Sequence, residues 1–211
     1  MIELINLKYK YPHGSAYIIQ GFSSRFDRGE ITAISGKNGC GKTTLTKLLV
    51  GILRPSEGCI MIDGCDTACL NLFEIGRLVG YIFQNPNRQL FCDTVYNEVA
   101  YGLKNLQMGE EQITQTVNYY LDLFDLNRYR ETYPGKLSLG EKQRLALAAV
   151  LALGTDYIVL DEPTTGLDAR RQQQLGRMLV KLKQYQNSGI IVASHSADFI
   201  DRYTDRELVM G

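Results

Sequence analysis

The residues with the clearest potential for chemistry form one glycine-rich stretch, Gly36-Lys37-Asn38-Gly39-Cys40-Gly41-Lys42-Thr43-Thr44. The spacing Gly-x-x-x-x-Gly-Lys-Thr is typical of loops whose backbone N–H groups surround the phosphates of a nucleotide. In such a loop Lys42 reaches the β- and γ-phosphates, and the Thr43 hydroxyl binds Mg²⁺. The alternative is a glycine-rich turn that only joins two elements. We predict a nucleotide site formed by Gly36, Asn38, Gly39, Cys40, Gly41, Lys42, Thr43 and Thr44.

The segments on either side of this loop fit the same interpretation. Residues 31–35 form a short β-branched run that predicts a strand. After the loop, apolar residues recur at helical spacing, namely Leu45, Leu48, Leu49 and Ile52. A helix that begins near Lys42 would direct the positive end of its dipole at a bound phosphate.

A second candidate site is a pair of acids that follows the apolar run 157–160. The run lacks alternation, which predicts a strand buried on both faces, and open α/β sheets bind ligands at such strand ends. Asp161 is placed to hold Mg²⁺, and Glu162 is placed to orient or deprotonate an attacking water. The alternative is an acid pair that caps a helix, because Pro163 and Thr164 begin a turn.

The composition limits the class of protein. The 211 residues include 23 lysines and arginines and 23 acidic residues, so we expect no nucleic-acid partner. The longest apolar run, 145–153, is shorter than the roughly 20 residues that cross a bilayer. The N-terminus lacks a secretory signal, and the five cysteines form no Cys-x-x-Cys pair. These features predict a soluble intracellular chain with free thiols.

The order of the patterns predicts an α/β fold in a single domain, 1–211. Strands at 2–9 and 18–26, joined by a turn at 12–15, predict an antiparallel β layer ahead of the loop. Residues 85–155 read as helices and predict an inserted helical subdomain. The α/β pattern then returns at 157–160 and continues to a closing strand at 208–210, and we expect no C-terminal extension after it.

Further motifs carry a resemblance to a known family. After the loop come Gln84, the segment Leu137-Ser138-Leu139-Gly140-Glu141, the segment Thr165-Gly166-Leu167-Asp168, and His195. In this order they resemble the ATP-binding-cassette (ABC) ATPases over the whole chain. The resemblance implies a P-loop NTPase core with a mostly parallel sheet, and ATP hydrolysis with Mg²⁺.

The resemblance also implies residue roles. Tyr11 would lie under adenine, Gln84 would sense the metal and the attacking water, and His195 would contact the γ-phosphate. By themselves, Tyr11 reads as a strand-end aromatic and His195 as a polar residue at a strand end. Two such domains pack head to tail in this family, so Asp168 would lie at a contact with a second ABC ATPase subunit, of the same or a related chain.

The signature segment departs from the usual Leu-Ser-Gly-Gly-Gln of the family. Ser138 and Gly140 are retained, but Leu139 replaces a glycine and could crowd the phosphates of the partner's nucleotide. Glu141 replaces glutamine, a milder change. Ser138 and Glu141 also have the spacing of a capping box, so the serine can begin a helix as well as face a nucleotide.

The segments 81–91, 94–95 and 98–102 are similar to one branch, the ATPase subunits of energy-coupling-factor importers, including the cobalt and nickel type. That resemblance implies vitamin or metal-ion uptake, integral membrane partners, and a place at the cytoplasmic face of the membrane. Two alternatives stay open. One is a soluble ABC ATPase that acts on a protein or nucleic-acid assembly, and the other is a nucleotide-binding subunit whose turnover is impaired by Leu139.

Overall fold

The computed structural model describes residues 1–12, 14 and 16–211. In chain order its strands and helices are β1 (Ile2–Tyr9), β2 (Ile19–Phe26), β3 (Ile31–Gly36), α1 (Lys42–Leu49), β4 (Glu57–Ile62), β5 (Cys65–Asp66), α2 (Leu72–Leu78), β6 (Val79–Ile82), α3 (Val95–Asn105), α4 (Glu110–Leu123), α5 (Leu139–Leu151), β7 (Tyr157–Asp161), α6 (Ala169–Gln186), β8 (Gly189–Ala193), α7 (Ala197–Tyr203) and β9 (Arg206–Met210). The chain divides into two compact units, one formed by Met1–Tyr81 with Asp156–Gly211 and the other by Ile82–Thr155.

An antiparallel sheet occupies the N-terminal part of the first unit. Its strand order is β2-β1-β4-β5, and Ile2 of β1 lies opposite both Phe26 and Ile62. The predicted layer therefore includes strands from both sides of the glycine-rich loop. The alternation of β1 is interrupted at Asn6, which has a positive φ of 47°, and the strand register shifts there.

A second sheet in the same unit carries the predicted functional strands. Its strand order is β6-β7-β8-β3-β9, and β3 runs parallel to both β8 and β9. Strands β7 and β8 are buried along their whole length. Because β3 and β7 both run parallel to β8, which lies between them, the loops that follow β3 and β7 open at the same edge of the sheet. The predicted α/β fold class is confirmed.

Helix α1 packs on this sheet through one face. Leu45, Leu48 and Leu49 are fully or almost fully buried and belong to the same core cluster as Ile34 and Val159. The helix is shorter than the spacing predicted, because it ends at Leu49 and the following residues turn away. Ile52 is 44% exposed and lies outside the helix.

The second unit is helical. Buried leucines and valines on α3, α4 and α5 include Val99, Val117 and Leu147. Gly102 of α3 allows close packing, because a Cβ there would lie 2.4 Å from Cδ2 of Leu153. In the described part of the chain, no helix is long and apolar enough to cross a membrane.

The turn predicted at 12–15 is only partly described. The backbone N–H of Gly14 donates to the carbonyl of Tyr11 at 2.9 Å. His13 and Ser15 lie outside the described residues.

Candidate functional site

The glycine-rich loop connects β3 directly to α1. Gly41 precedes the helix in a left-handed conformation with φ of 103°, and its carbonyl accepts the N–H of Leu45 at 2.8 Å. Glycine offers no side chain to accept hydrogen bonds from the first amides of the helix. Those amides are left to bind another acceptor, which a phosphate group supplies.

Two glycines of the loop show why the residue type is needed there. A Cβ on Gly36 would lie 2.4 Å from the carbonyl oxygen of Met210 and 2.8 Å from Sγ of Cys40, so only glycine fits. Gly39 has a φ of 85°, and a Cβ added to it would meet nothing within 4 Å. The loop therefore has a tight inner side and an open outer side, as a phosphate cradle requires. Asn38 and Gly39 are exposed on this loop, and Cys40 is half-buried.

Lys42 links the loop to the second acid of the pair. Its ammonium donates to the carbonyls of Gly36 at 3.0 Å and Lys37 at 3.3 Å, and lies 3.6 Å from Oε1 of Glu162. Lys42 is only 6% exposed and Glu162 only 8%. A buried cation held beside the open loop has the charge and the reach to bind phosphate oxygens.

Glu162 also contacts His195. Its Oε2 lies 2.7 Å from Nδ1 of His195, whose side chain is half exposed. An ionised carboxylate can only accept a hydrogen bond, so the tautomer of His195 that donates to an ionised Glu162 is the one with hydrogen on Nδ1, and that tautomer leaves Nε2 for another contact. Glu162 is thus positioned from two sides, by Lys42 on one oxygen and by His195 on the other.

The backbone of Glu162 supports a functional interpretation. Its φ is 48°, a left-handed conformation that non-glycine residues adopt at some cost in free energy. Its N–H donates to the carbonyl of Ala193 at the end of β8 at 2.9 Å, which holds the strained turn in place. The acid pair does not cap a helix. Asp161 is the last residue of β7, and Glu162 follows it directly.

Asp161, at the end of β7, contacts Thr43 in the first turn of α1. The Thr43 hydroxyl donates to Oδ1 of Asp161 at 3.0 Å, and the Tyr81 hydroxyl donates to Oδ2 at 3.1 Å. Asp161 is 4% exposed, and this burial raises its pKa above the ordinary value, with the charge of Glu162 acting in the same direction. A hydroxyl and a carboxylate are oxygen ligands of the kind Mg²⁺ prefers, and a cation would offset the cost of the buried charge. Thr43 and Asp161 therefore fit a Mg²⁺ site.

Tyr11 lies beyond the end of β1 and close to the loop. Its hydroxyl is 3.2 Å from the Thr44 hydroxyl, and its ring makes an edge contact with Tyr9 at 5.1 Å between centroids. The side chain remains 39% exposed. The structure thus places an accessible aromatic ring against the loop.

Two groups of the predicted site residues, Gln84 and the signature segment, lie in the second unit. Gln84 follows β6 and is exposed. The capping box predicted at the start of α5 is present, because Ser138 Oγ accepts the N–H of Glu141 and Glu141 Oε2 accepts the N–H of Ser138 at 2.8 Å. Leu139 and Gly140 are half-buried in the first turn of the helix.

Glu141 has a further partner that local sequence patterns do not show. The Tyr129 hydroxyl donates to its Oε1 at 2.6 Å, and the guanidinium of Arg128 lies over the Tyr129 ring. The hydrogen bonds from Tyr129 and Ser138 lower the pKa of Glu141 to about 2. Glu141, which stands where the family has glutamine, is therefore ionised and hydrogen-bonded to Ser138, the N-cap residue of its own helix.

This lowered pKa predicts a pH-dependent contribution to stability. The contribution of Glu141 is complete above its unfolded pKa of about 4.5 and is lost as the pH falls towards about 2. We expect the free energy of unfolding of the wild type, relative to Glu141→Gln, to fall by about 1 kcal/mol between pH 6 and pH 4. Urea denaturation at both pH values measures it. Tyr129→Phe, which removes the strongest donor, should reduce this difference, and an undiminished difference would contradict the assignment.

Asp168 begins α6 in the first unit. Its side chain accepts the N–H of Arg171 at 2.9 Å and therefore caps the helix. The carboxylate is 61% exposed and also lies 3.5 Å from Nε of Arg171. Its local role is structural, and its exposure leaves it accessible to another molecule.

Known proteins resemble the chain in sequence. Residues 19–165 match the ABC transporter domain family. A protein from Pyrococcus furiosus that is described as an ABC transporter ATP-binding protein is 40% identical over 210 residues, which cover 100% of this chain and 80% of the relative. The energy-coupling factor transporter ATP-binding protein EcfA of Methanothermobacter thermautotrophicus is 39% identical over 212 residues, which cover 100% of this chain and 68% of EcfA.

Solved structures share the same fold. CbiO1 from Clostridium perfringens, described as part of the ABC transporter complex CbiONQ, has a TM-score of 0.92 and 33% identity, over 99% of this chain and 84% of CbiO1. The ATP-binding cassette MJ0796, solved as a dimer in a post-hydrolysis state bound to ADP and Pi, has a TM-score of 0.87 and 26% identity, over 100% of this chain and 94% of that one. Because the family match spans most of the chain and a relative covered to 80% is 40% identical, the chain belongs to the ABC transporter ATPase family and is an ATP-binding, ATP-hydrolysing subunit.

Proposed function

We propose that this chain drives an importer of the energy-coupling-factor type, in which ATP hydrolysis is coupled to the uptake of a vitamin or a metal ion. The site observation that supports turnover is the position of Glu162, between the Lys42 ammonium and the His195 ring. The similarity to EcfA and to CbiO1 supports the importer branch.

In the proposed site the phosphate loop binds ATP. The amides of residues 36–44 and the Lys42 ammonium hold the phosphates, and Tyr11 stacks under the adenine. Thr43 and Asp161 hold Mg²⁺, with Gln84 as a further ligand or sensor. The ion supplies positive charge that offsets the charge on the phosphates.

Glu162 is proposed to act as the general base. A carboxylate with low exposure, fixed on both oxygens, can take a proton from a water aimed at the γ-phosphate. His195 would hold Glu162 through Nδ1 and contact the γ-phosphate through Nε2. Lys42 would stabilise the charge on the phosphate as the bond to the leaving oxygen lengthens.

We also propose that the chain works with a second ABC ATPase subunit and with integral membrane subunits, as a peripheral protein at the cytoplasmic face of the membrane. In that assembly Ser138, Gly140 and Glu141 would face the partner's nucleotide, and Asp168 would contact the partner. The unit 82–155 would be the helical subdomain inserted in the ATPase domain. The dimeric state of MJ0796 and the complex that contains CbiO1 support this arrangement.

Purification from native membranes through this subunit tests the proposal. We expect integral membrane proteins to co-purify at fixed stoichiometry, and the complex to take up one member of a panel of vitamins and divalent metals when reconstituted in vesicles with ATP. The same complex with Glu162→Gln should assemble but not transport. A soluble complex without membrane proteins would instead favour a soluble ABC ATPase.

A further inference from the structure

Tyr81 lies between the two elements that carry the proposed metal ligands. It belongs to β6, the strand beside β7 in the sheet. Its side chain is half-buried, and its hydroxyl contacts the last residue of β7. Its phenol oxygen lies 3.1 Å from Oδ2 of Asp161 and 3.4 Å from Oγ1 of Thr46 on α1. One hydroxyl thus contacts both the buried acid and the helix that follows the phosphate loop.

The chemistry of the Asp161, Tyr81 and Thr46 side chains determines which group donates each hydrogen bond. An ionised Asp161 can only accept hydrogen bonds, so the phenol hydroxyl of Tyr81 donates its hydrogen bond to Oδ2. The Thr46 hydrogen can point either to the carbonyl of Thr43 at 2.9 Å or to the phenol oxygen at 3.4 Å. Asp161 is therefore connected through Tyr81 to the same turn of α1 that carries Thr43.

The two oxygens of Asp161 are held by different kinds of residue. Thr43 holds Oδ1 and is exposed on the first turn of α1, whereas Tyr81 holds Oδ2 from β6, the edge strand beside β7. A carboxylate with a donor on each oxygen has its plane fixed. Loss of the phenol hydroxyl would leave Asp161 free to rotate about its last bond, with one donor instead of two.

We propose that Tyr81 is a positioning residue for the metal-binding carboxylate of this ATPase, acting through its hydrogen bond to Oδ2 of Asp161. This inference rests on the proposed Mg²⁺ site at Thr43 and Asp161. Partners of this kind set the orientation of a ligating group, and their loss typically weakens metal binding by about 10- to 100-fold. The effect of losing the hydroxyl should be specific to the metal, because the hydroxyl is hydrogen-bonded to Asp161 and Thr46.

The test is the affinity for Mn²⁺ in the presence of ADP, followed by electron paramagnetic resonance, in the wild type and in Tyr81→Phe. We expect Mn²⁺ to bind about tenfold more weakly to Tyr81→Phe. The affinity for ADP measured by calorimetry in EDTA should stay within about twofold of wild type, which a general loss of structure would not allow. Tyr157→Phe, which removes the hydroxyl of a buried tyrosine at the opposite end of β7, should leave the Mn²⁺ affinity unchanged.

Asp161→Asn distinguishes a failure of the proposed Mg²⁺ site from a failure of the role of Tyr81. Unchanged Mn²⁺ affinity in Asp161→Asn would overturn the proposed metal site itself. Weakened binding in Asp161→Asn together with wild-type binding in Tyr81→Phe would overturn the role of Tyr81 alone.

A second pair of variants keeps the test decisive if Tyr81→Phe is unstable. Thr46→Val removes the other hydroxyl that contacts the phenol and should weaken Mn²⁺ binding by a smaller factor, whereas Thr46→Ser keeps the hydroxyl and should restore it. Equal Mn²⁺ affinity in Thr46→Val and Thr46→Ser would count against the connection through Tyr81.

Discussion

Glu162→Gln should lower the rate of ATP hydrolysis by roughly 10²- to 10⁴-fold, the range that a positioned general base contributes. Glutamine keeps the size of the side chain and can still contact Lys42 and His195, but it cannot accept a proton from water. ATP should therefore bind normally and remain unhydrolysed, so the variant should accumulate as an ATP-bound dimer. Phosphate release measures the rate, and size-exclusion chromatography with and without ATP measures the dimer.

A matched control for this variant is Glu207→Gln, which makes the same chemical change on an exposed residue of β9. It should hydrolyse ATP at the wild-type rate. A Glu162→Gln protein that hydrolysed as fast as Glu207→Gln would remove Glu162 from the mechanism. If Glu162→Gln hydrolysed ATP slowly and also formed no dimer on addition of ATP, Glu162 would instead have a role in ATP binding.

Lys42→Ala should weaken ATP binding by about 100-fold. The ammonium is 6% exposed, is oriented by the carbonyls of Gly36 and Lys37, and lies beside the open loop. Hydrogen bonds between a cation and phosphate oxygens contribute about 1.5–3 kcal/mol, and alanine removes them together with the charge. Isothermal titration calorimetry with ATP measures the affinity, and circular dichroism checks that the variant is folded.

Lys181→Ala is the matched control, because Lys181 is an exposed lysine of α6. Its ATP affinity should equal that of the wild type. Unchanged ATP affinity in a folded Lys42→Ala protein would falsify the phosphate-binding role of Lys42. It would leave the helix amides as the principal phosphate ligands of the loop.

Some features of the site could be predicted from short sequence patterns. The loop that ends in Lys42 and the acids after β7 each combine a residue spacing with a strand context, so a short window contains the whole signal. The capping box at Ser138 and Glu141 is likewise a local pattern, and the structure confirms it. The extent of α1 could not be read in this way, since Ile52 continues the apolar spacing beyond the point where the backbone turns away at Gly51, which has a φ of 73°.

Contacts between distant segments were not predictable in the same way. Tyr81 precedes Asp161 by 80 residues, and their hydrogen bond depends on β6 lying beside β7 in the sheet. Tyr129 donates a hydrogen bond to Glu141 from a turn before α5. The two residues do not have the spacing of residues that contact each other within one helix. The left-handed backbone of Glu162 also depends on its hydrogen bond to the neighbouring strand.

The sequence by itself determined the family, the α/β fold class and the ATPase activity, because glycine spacing, strand composition and motif order are written along the chain. Only the tertiary structure decided that Glu162 lies between Lys42 and His195, and that Asp161 has a hydroxyl donor on each oxygen. The physical reason is that strand order and parallel pairing bring residues more than 100 positions apart to one sheet edge. Local periodicity carries no information about which strands become neighbours.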